Sequence, residues 1–454
     1  MRLAYFLIAA SLGLGSVFPA AAMDPFNTEA GIKPYSPCSA PASAEPIGLG
    51  RAVDAALCAN PQTRLVWANA RAQAAQLGVA EAAWLPTLNG TVSSNRNRSN
   101  GVVTDVRGVG LTSSWLLFDF GARSATIENA RQLLAAANDT RDATVQAVFL
   151  SAVQAFYQAQ GAEASLAAAQ EAEKAAEQSF RAADARYKVG SAAPADKLQA
   201  QTAFSQAQLT RITAEGNLKT ARGALAIVMG RDAYLPLNIA PAAATPPMAN
   251  FEKDVNTLGA LVAQARQQRP DLLAAEASAK AAQASVDAAR AAHLPSLSLG
   301  VSAADQKTDG LPDVRTGSIG LTLNVPLFTG FATSYKVQAA EAQREAKQAQ
   351  AEQLRLQVAQ DVWNAWQSLL TATQTVRTTA DLIASAEQSD KVARGRYAAG
   401  VGTLADMLTA QSAFASARQQ RVQALYNWNV ARATLAQAMG NLDMNAIAEE
   451  GKLP

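Results

Sequence analysis

The chain has 454 residues, of which 49% are hydrophobic, only 6% aromatic and 17% charged. Much of the apolar content is alanine, which favours long, closely approaching helices over a thick globular core. A formal net charge of +2 with no block of Lys or Arg excludes a nucleic-acid footprint. The single histidine, His293, with no nucleophile elbow, metal-ligand cluster or phosphate loop around it, leaves an enzyme or a cofactor nothing to work with.

The first residues, "MRLAYFLIAASLGLGSVFPAAAM", carry one basic side chain, an apolar run from Leu3 to Phe18 and the small residues Ala20 to Ala22. This is the pattern of a secretory signal peptide over 1–22, which predicts a mature chain from about Met23 outside the cytoplasm, the alternative being a transmembrane anchor, for which the run is short and ends in a cleavage pattern. No later segment approaches 18 consecutive apolar residues, so any membrane crossing must use strands. A tail over 23–48 precedes the first helix. In an oxidising compartment Cys38 and Cys58 predict a disulfide that pins this tail to that helix, the alternative being two free thiols.

The rest of the chain is a duplication. "AAWLPTL" from Ala82 matches "AAHLPSL" from Ala291, "VGLT" from Val109 matches "IGLT" from Ile319, "ARYKVG" from Ala185 matches "GRYAAG" from Gly395, and "LAIVMG" from Leu225 matches "LAQAMG" from Leu435. The offset is 209 or 210 residues each time, which defines two units, 49–230 and 256–440, joined by a Pro/Ala-rich linker over 231–255 and followed by a tail over 441–454.

Each unit predicts the same elements in the same order. A helix over about 49–83, and again over 256–292, ends at a Leu-Pro. Two alternating strands follow, 85–97 with 106–118 and 294–304 with 315–327, joined by polar loops that hold Asn-Gly and Asp-Gly. A very long helix comes next, 121–188 and 331–398, broken at Gly190 and Gly400, and a shorter one closes each unit at 193–229 and 403–439. A helix of that length reaches roughly 100 Å. In the second copy Val362, Trp366, Leu369, Thr373, Val376, Ala380 and Ile383 step by four and three, a coiled-coil seam in which Trp366 and its neighbour Trp363 read as packing residues.

The strands answer the question of how such a chain meets a membrane. Leu297, Leu299, Val301 and Ala303 alternate with Ser296, Ser298, Gly300 and Ser302, as Ile319, Leu321, Leu323, Val325 and Leu327 alternate with Ser318, Gly320, Thr322 and Asn324. Strands of about ten residues with one apolar and one uncharged polar face suit a tilted transmembrane barrel. A soluble sandwich would bury the apolar faces but leave the helical hairpins without a partner. Four strands cannot close a barrel in lipid, because open edges leave backbone groups unsatisfied, so several chains must share one barrel.

The duplicated helix–hairpin–helix unit, the "ALCANPQTR" segment at Ala56, the Leu-Pro before each first strand and the Arg-Tyr-x-x-Gly turns leading to Ala-Asp-x-Leu resemble the TolC family of outer-membrane efflux and secretion proteins. The Cys-containing N-terminal segment is most similar to its CyaE-type type I secretion branch. The resemblance implies a mainly α chain with a β transmembrane part. A homotrimer would form one twelve-stranded barrel in outer-membrane lipid, continued by an α-helical barrel across the periplasm. An equatorial layer built by the linker would surround the middle. It also implies an iris at the periplasmic end that opens when a periplasmic adaptor and an inner-membrane transporter, ABC or proton-driven, dock. Passage would be passive, an exit duct for protein toxins or small molecules. The other reading of the rods is a periplasmic coiled-coil stalk without a pore.

The turns "RYKVGSAAPADKL" and "RYAAGVGTLADML" would form the iris. The resemblance implies a pair of aspartates one helical turn apart at the constriction. Asp406 matches the first, and Thr409 stands in place of the second. Three Asp406 carboxylates near a trimer axis would make a ring of the kind that selects cations. Asp406 also fits a capping box with Thr403, and Asp196, behind Pro194, fits dipole compensation in a helix first turn, so gate and cap stand side by side. Tyr397 matches a position that holds the iris shut, while Gly402 replaces the arginine that would follow it. Arg186 and Arg396 are candidate adaptor contacts or compensators of the helix C-terminal dipole.

Overall fold

A computed structural model describes residues 24–32, 46–240 and 255–442. The signal peptide, Cys38, the linker from 241 to 254 and the tail beyond 442 lie outside the described residues. The described elements are α1 (Leu49–Ala59), α2 (Pro61–Glu81), β1 (Thr87–Ser99), β2 (Val102–Phe118), α3 (Ala122–Lys188) and α4 (Pro194–Val228), then α5 (Val255–Gln268), α6 (Pro270–Ala291), β3 (Ser296–Thr308), β4 (Val314–Asn324), α7 (Ala332–Ala398) and α8 (Leu404–Ala438). Among the described residues no helix is long and apolar enough to cross a membrane.

The expected single helix at the start of each copy is two helices. Asn60 is extended (φ −65°, ψ 128°), because a residue before proline is pushed out of the helical region. Pro61 then starts α2, where its missing N–H costs nothing, and Pro270 starts α6 in the same way. These breaks are packing surfaces. Gly230 and Gly440 end the shorter helices at φ +69° and +78°, and a Cβ on them would lie 2.7 Å from the Ala59 carbonyl and 2.9 Å from Arg269 Cα. Only glycine satisfies both the turn and the approach.

The chain divides into two compact units that cut across the sequence copies. The first takes residues 68–138 and 274–351 with the described N-terminal segment, and contains an antiparallel sheet in the order β1-β2-β3-β4. The first hairpin turns on Asn100 and Gly101, both at positive φ (50° and 84°), the geometry whose twist suits a two-residue loop. Register aligns like with like: Leu297 faces Leu323, Leu299 faces Leu321 and Val301 faces Ile319, while Ser298 faces Thr322 and Ser302 faces Ser318. Across the joint between copies, Trp115 faces Leu299 and Leu111 faces Ala303. One face is therefore an apolar band, and it is open: Val92 is 78% and Ile319 76% exposed.

Where β2 passes into α3, the buried Asp119–Arg123 pair (3.2 Å) ties strand to helix. The Arg123 guanidinium donates to the carbonyls of Leu116 (2.6 Å) and Leu117 (3.2 Å) and lies 4.2 Å from the Trp84 ring centre. In the second copy the same junction carries Thr329 and Thr333, hydroxyl to hydroxyl at 2.9 Å. Exposed aromatics gather at these junctions: Trp84, Trp115, Phe118, Phe120, Phe328 and Phe331.

The second unit holds the described residues 46–67, 139–240, 255–273 and 352–442. Its largest core takes in the predicted seam as far as Val376: Val358, Val362, Trp366, Leu369 and Val376 of α7 pack with Trp428, Leu435 and Met439 of α8 and with Leu261 and Leu272, whereas Ala380 and Ile383 further along are only half-buried and outside it. Thr373 sits within that seam because it accepts a hydrogen bond from Trp428 Nε1 (3.2 Å). Trp363, read from the sequence as packing, is 49% exposed in the single chain.

Candidate functional site at the paired helix tips

Each long helix ends in the same way. The amides of Gly190 and Ser191 return to the carbonyls of Tyr187 (2.9 Å) and Arg186 (2.9 Å), and those of Gly400 and Val401 return to Tyr397 (3.2 Å) and Arg396 (3.0 Å). Both glycines have φ +74°, which a side chain would resist. The next helix opens differently in the two copies. At α8 the capping box is complete: the Asp406 amide donates to the Thr403 hydroxyl (3.1 Å) and the Thr403 amide donates to the Asp406 carboxylate (3.4 Å). At α4 Pro194 takes the first position, the preceding Ala193 offers no side-chain cap, and Asp196 lies in the first turn, half-buried.

The carboxylate of Asp406 is fully exposed, and the Thr403 hydroxyl and then its amide, with a smaller contribution from Arg396, hold it below the usual carboxylate range. Thr409, one turn on, is exposed and donates its hydroxyl to the Ala405 carbonyl (2.8 Å). Among the described residues Arg396 hydrogen-bonds within its own turn, to the Val401 carbonyl at 3.5 Å.

The two tips are joined to each other. Ala183 of α3, Ala200 of α4 and Leu404 and Met407 of α8 form a buried cluster with Phe180 and Tyr397 against it. The Arg186 guanidinium lies 4.4 Å from the centre of the Tyr397 ring and reaches the Tyr397 carbonyl at 3.5 Å. Arg186 belongs to the first copy and Tyr397 to the second, so the residues that the sequence treats separately make one clasp. The repeat offset relates Arg186 to Arg396 and Tyr187 to Tyr397, which puts both residue types at both tips but does not say that they cross. Sequence reasoning also missed Asp184, which binds Lys188 (2.7 Å) and Lys197 (2.9 Å) and is held below its usual pKa first by Lys188, then by Lys197. Above the tips, a groove of about 720 Å³ runs between α3, α4 and α8, lined by uncharged residues that include Ser165, Thr210, Ser416 and Gln419. Cys58 in α1 is disulfide-bonded.

At the sheet, β1 and β4 have a partner on one side only among the described residues. The sheet thus has two unpaired edges, a polar face that runs through Thr91, Gly110, Ser302 and Ser318, and an open apolar face opposite it.

The chain matches the family described as Outer membrane efflux protein twice, over residues 52–231 and 261–441. It is 32% identical to Protein CyaE of Bordetella pertussis, with 90% of this chain and 88% of that protein covered, and 29% identical to the outer membrane efflux protein BepC of Brucella suis, with 83% and 81% covered. Its fold is similar to that of the CmeC outer membrane channel of Campylobacter jejuni (TM-score 0.79, 21% identity, 87% of this chain and 85% of that chain). It is similar again to the open state of the MtrE outer membrane channel of Neisseria gonorrhoeae (TM-score 0.73, 22% identity, 90% and 98%). Two matches that fall on the two copies, together with a relative 32% identical along most of its length, establish that the chain belongs to the outer membrane efflux protein family.

Proposed function

We propose that three copies of this chain form the outer-membrane exit duct of a type I secretion or tripartite efflux system, with passage passive and gated at the helix tips. The observation that carries the reading is the sheet: four strands with an exposed apolar face, an uncharged polar face and two unpaired edges. In hydrocarbon those edges must pair, and pairing β4 of one protomer with β1 of the next closes a twelve-stranded barrel. The long helices then continue the duct into the periplasm. The Asp406 ring sets the charge of the entrance, and the Arg186–Tyr397 clasp resists separation of the two hairpins in each chain. Docking of a periplasmic adaptor, at the polar groove and the exposed Arg396, supplies the work to open it. An inner-membrane transporter delivers the cargo, and likeness to CyaE favours protein secretion over small-molecule efflux.

Single-channel recording on the detergent-extracted mature protein in a planar bilayer tests this. Small, discrete, cation-selective steps are expected. Folded protein that never inserts, and that fractionates with soluble periplasmic proteins, overturns the duct and leaves a stalk. We also pair Cys38, the one other cysteine, with Cys58; two titratable thiols in the non-reduced mature protein would refute that.

A further inference from the structure

Strand register places a group of basic side chains on the same face as the apolar band, at the strand ends away from the helices. Val109 and Leu111 of β2 belong to that band, and Arg107, two residues nearer the hairpin turn, shares their face. Arg107 is paired directly with Lys307 of β3 on one side and with Ser94 of β1 on the other. Like charges directly opposite in an antiparallel pair repel, and the repulsion grows next to a low-dielectric medium. Asp313 already offsets Lys307, which leaves Arg107 as the cation of the two without an ion pair among the described residues. Arg96 is engaged by Asp105 (2.7 Å), Arg315 by Asp305 (3.1 Å) and Lys307 by Asp313 (2.6 Å). Arg107 is exposed and makes no ion pair or hydrogen bond with a described residue.

From this we infer that Ser94, Arg107 and Lys307 form an anion site for a phosphate monoester on the headgroup of a lipid in the leaflet around the hairpin ends. The site rests on the reading above that the apolar band faces lipid. One pleat above that band is the depth of a headgroup, where a cation costs little to place and an anionic lipid is at hand. A phosphate gives Arg107 the counter-charge it lacks, with Lys307, shared with Asp313, and the Ser94 hydroxyl as further donors. A sheet that needed only solubility at this height could have alternated the signs, as it does at Arg96–Asp105 and Asp305–Arg315.

The test is native mass spectrometry of the full mature oligomer in detergent, offered bisphosphorylated lipid A, its dephosphorylated form, or inorganic phosphate. The wild type should retain the phosphorylated lipid at least about tenfold more strongly than the dephosphorylated one, as loss of charge-assisted hydrogen bonds implies. The double variant Arg107→Gln/Lys307→Gln should lose that preference, while Arg107→Lys/Lys307→Arg, which keeps the charge, should hold it and report that the fold tolerates change there. Equal retention of both lipids, an unchanged preference in the Gln variant, or full displacement by inorganic phosphate would each overturn the site. Protein that is monodisperse without detergent would instead overturn the lipid-facing reading beneath it.

Discussion

Arg186→Ala is the sharpest test of the tips as a gate. The guanidinium stands 4.4 Å from the Tyr397 ring centre, well inside the range of a cation–π contact, and both side chains are half-buried. Such a contact stabilises by about 1 kcal/mol at this exposure. The added hydrogen bond to the Tyr397 carbonyl is long, at 3.5 Å, and contributes little. A trimer that opens in one step breaks all of its clasps together, so removing them shifts the closed-to-open ratio by roughly 3 kcal/mol, about a hundredfold. Single-channel recording should show a large rise in the time spent at high conductance, with oligomer stability nearly unchanged, because the buried cluster of Ala183, Ala200, Leu404 and Met407 stays in place. Tyr397→Phe keeps the ring and should behave almost as wild type, whereas Tyr397→Ala, which also removes the ring packed on the cluster, should open at least as far as Arg186→Ala. If Arg186→Ala leaves the open fraction where it was, the clasp does not hold the closed state.

Three further outcomes follow from the same geometry. Because the folded pKa of Asp406 is depressed, its cap is intact above the unfolded value near pH 4 and is lost as pH falls through the lower folded value; cation selectivity should therefore persist to about pH 4, fade below it, and be absent at all pH in Asp406→Ala, as reversal potentials would show. Gly440→Ala combines a φ of +78° with a Cβ 2.9 Å from Arg269 and should destabilise by about 2–4 kcal/mol, while Gly400→Ala, at φ +74° with open space around it, should lose only about 1 kcal/mol; equal losses in thermal dissociation of the oligomer would show that the contact is unimportant. Ile319→Lys places a charge on the apolar band and should cost about 2–4 kcal/mol and impair insertion, whereas Ser318→Lys, on the opposite face, should leave insertion intact and lower cation conductance.

The elements were legible because each has its own period and its own punctuation. Alternation over Leu297–Ala303 gives a strand with one apolar face, and the four-three spacing over Val362–Val376 gives a seam that the structure buries. Reading the two copies together helped, since a glycine or Leu-Pro that recurs after about 210 residues marks a boundary rather than an accident. The break at Asn60–Pro61 was in the sequence too, but it was masked by apolar periodicity running on either side, and a proline at a first helical position is compatible with a helix that simply begins there. The capping box at Thr403 is a local pattern of four residues and needed no fold to find. The clasp is different in kind. Arg186 and Tyr397 are 211 residues apart and meet only because two hairpins pack side by side, so no local rule pairs them. The exposure of Trp363 has the same origin, since a heptad shows that a position lies near a seam but not which partner covers it.

Duplication makes the two hairpins alike in length and order, but the charged residues make them unequal. At the strand-to-helix junction the first copy has a buried Asp119–Arg123 pair that gathers two strand carbonyls, and the second has only two threonine hydroxyls. At the tips the first copy again supplies the guanidinium, Arg186, and the second supplies the ring it grips. The second copy in turn carries the complete capping box, and with it a carboxylate held ionised at the opening of α8, where the first copy has Ala193 and an uncapped turn. A ring built from six identical hairpins would have six equal contacts between neighbours and no reason to open at one set rather than another. Alternating a gripping hairpin with a charged one gives each chain an internal contact that can be broken without dissolving the contacts between chains, which is what a duct that must open and stay assembled requires.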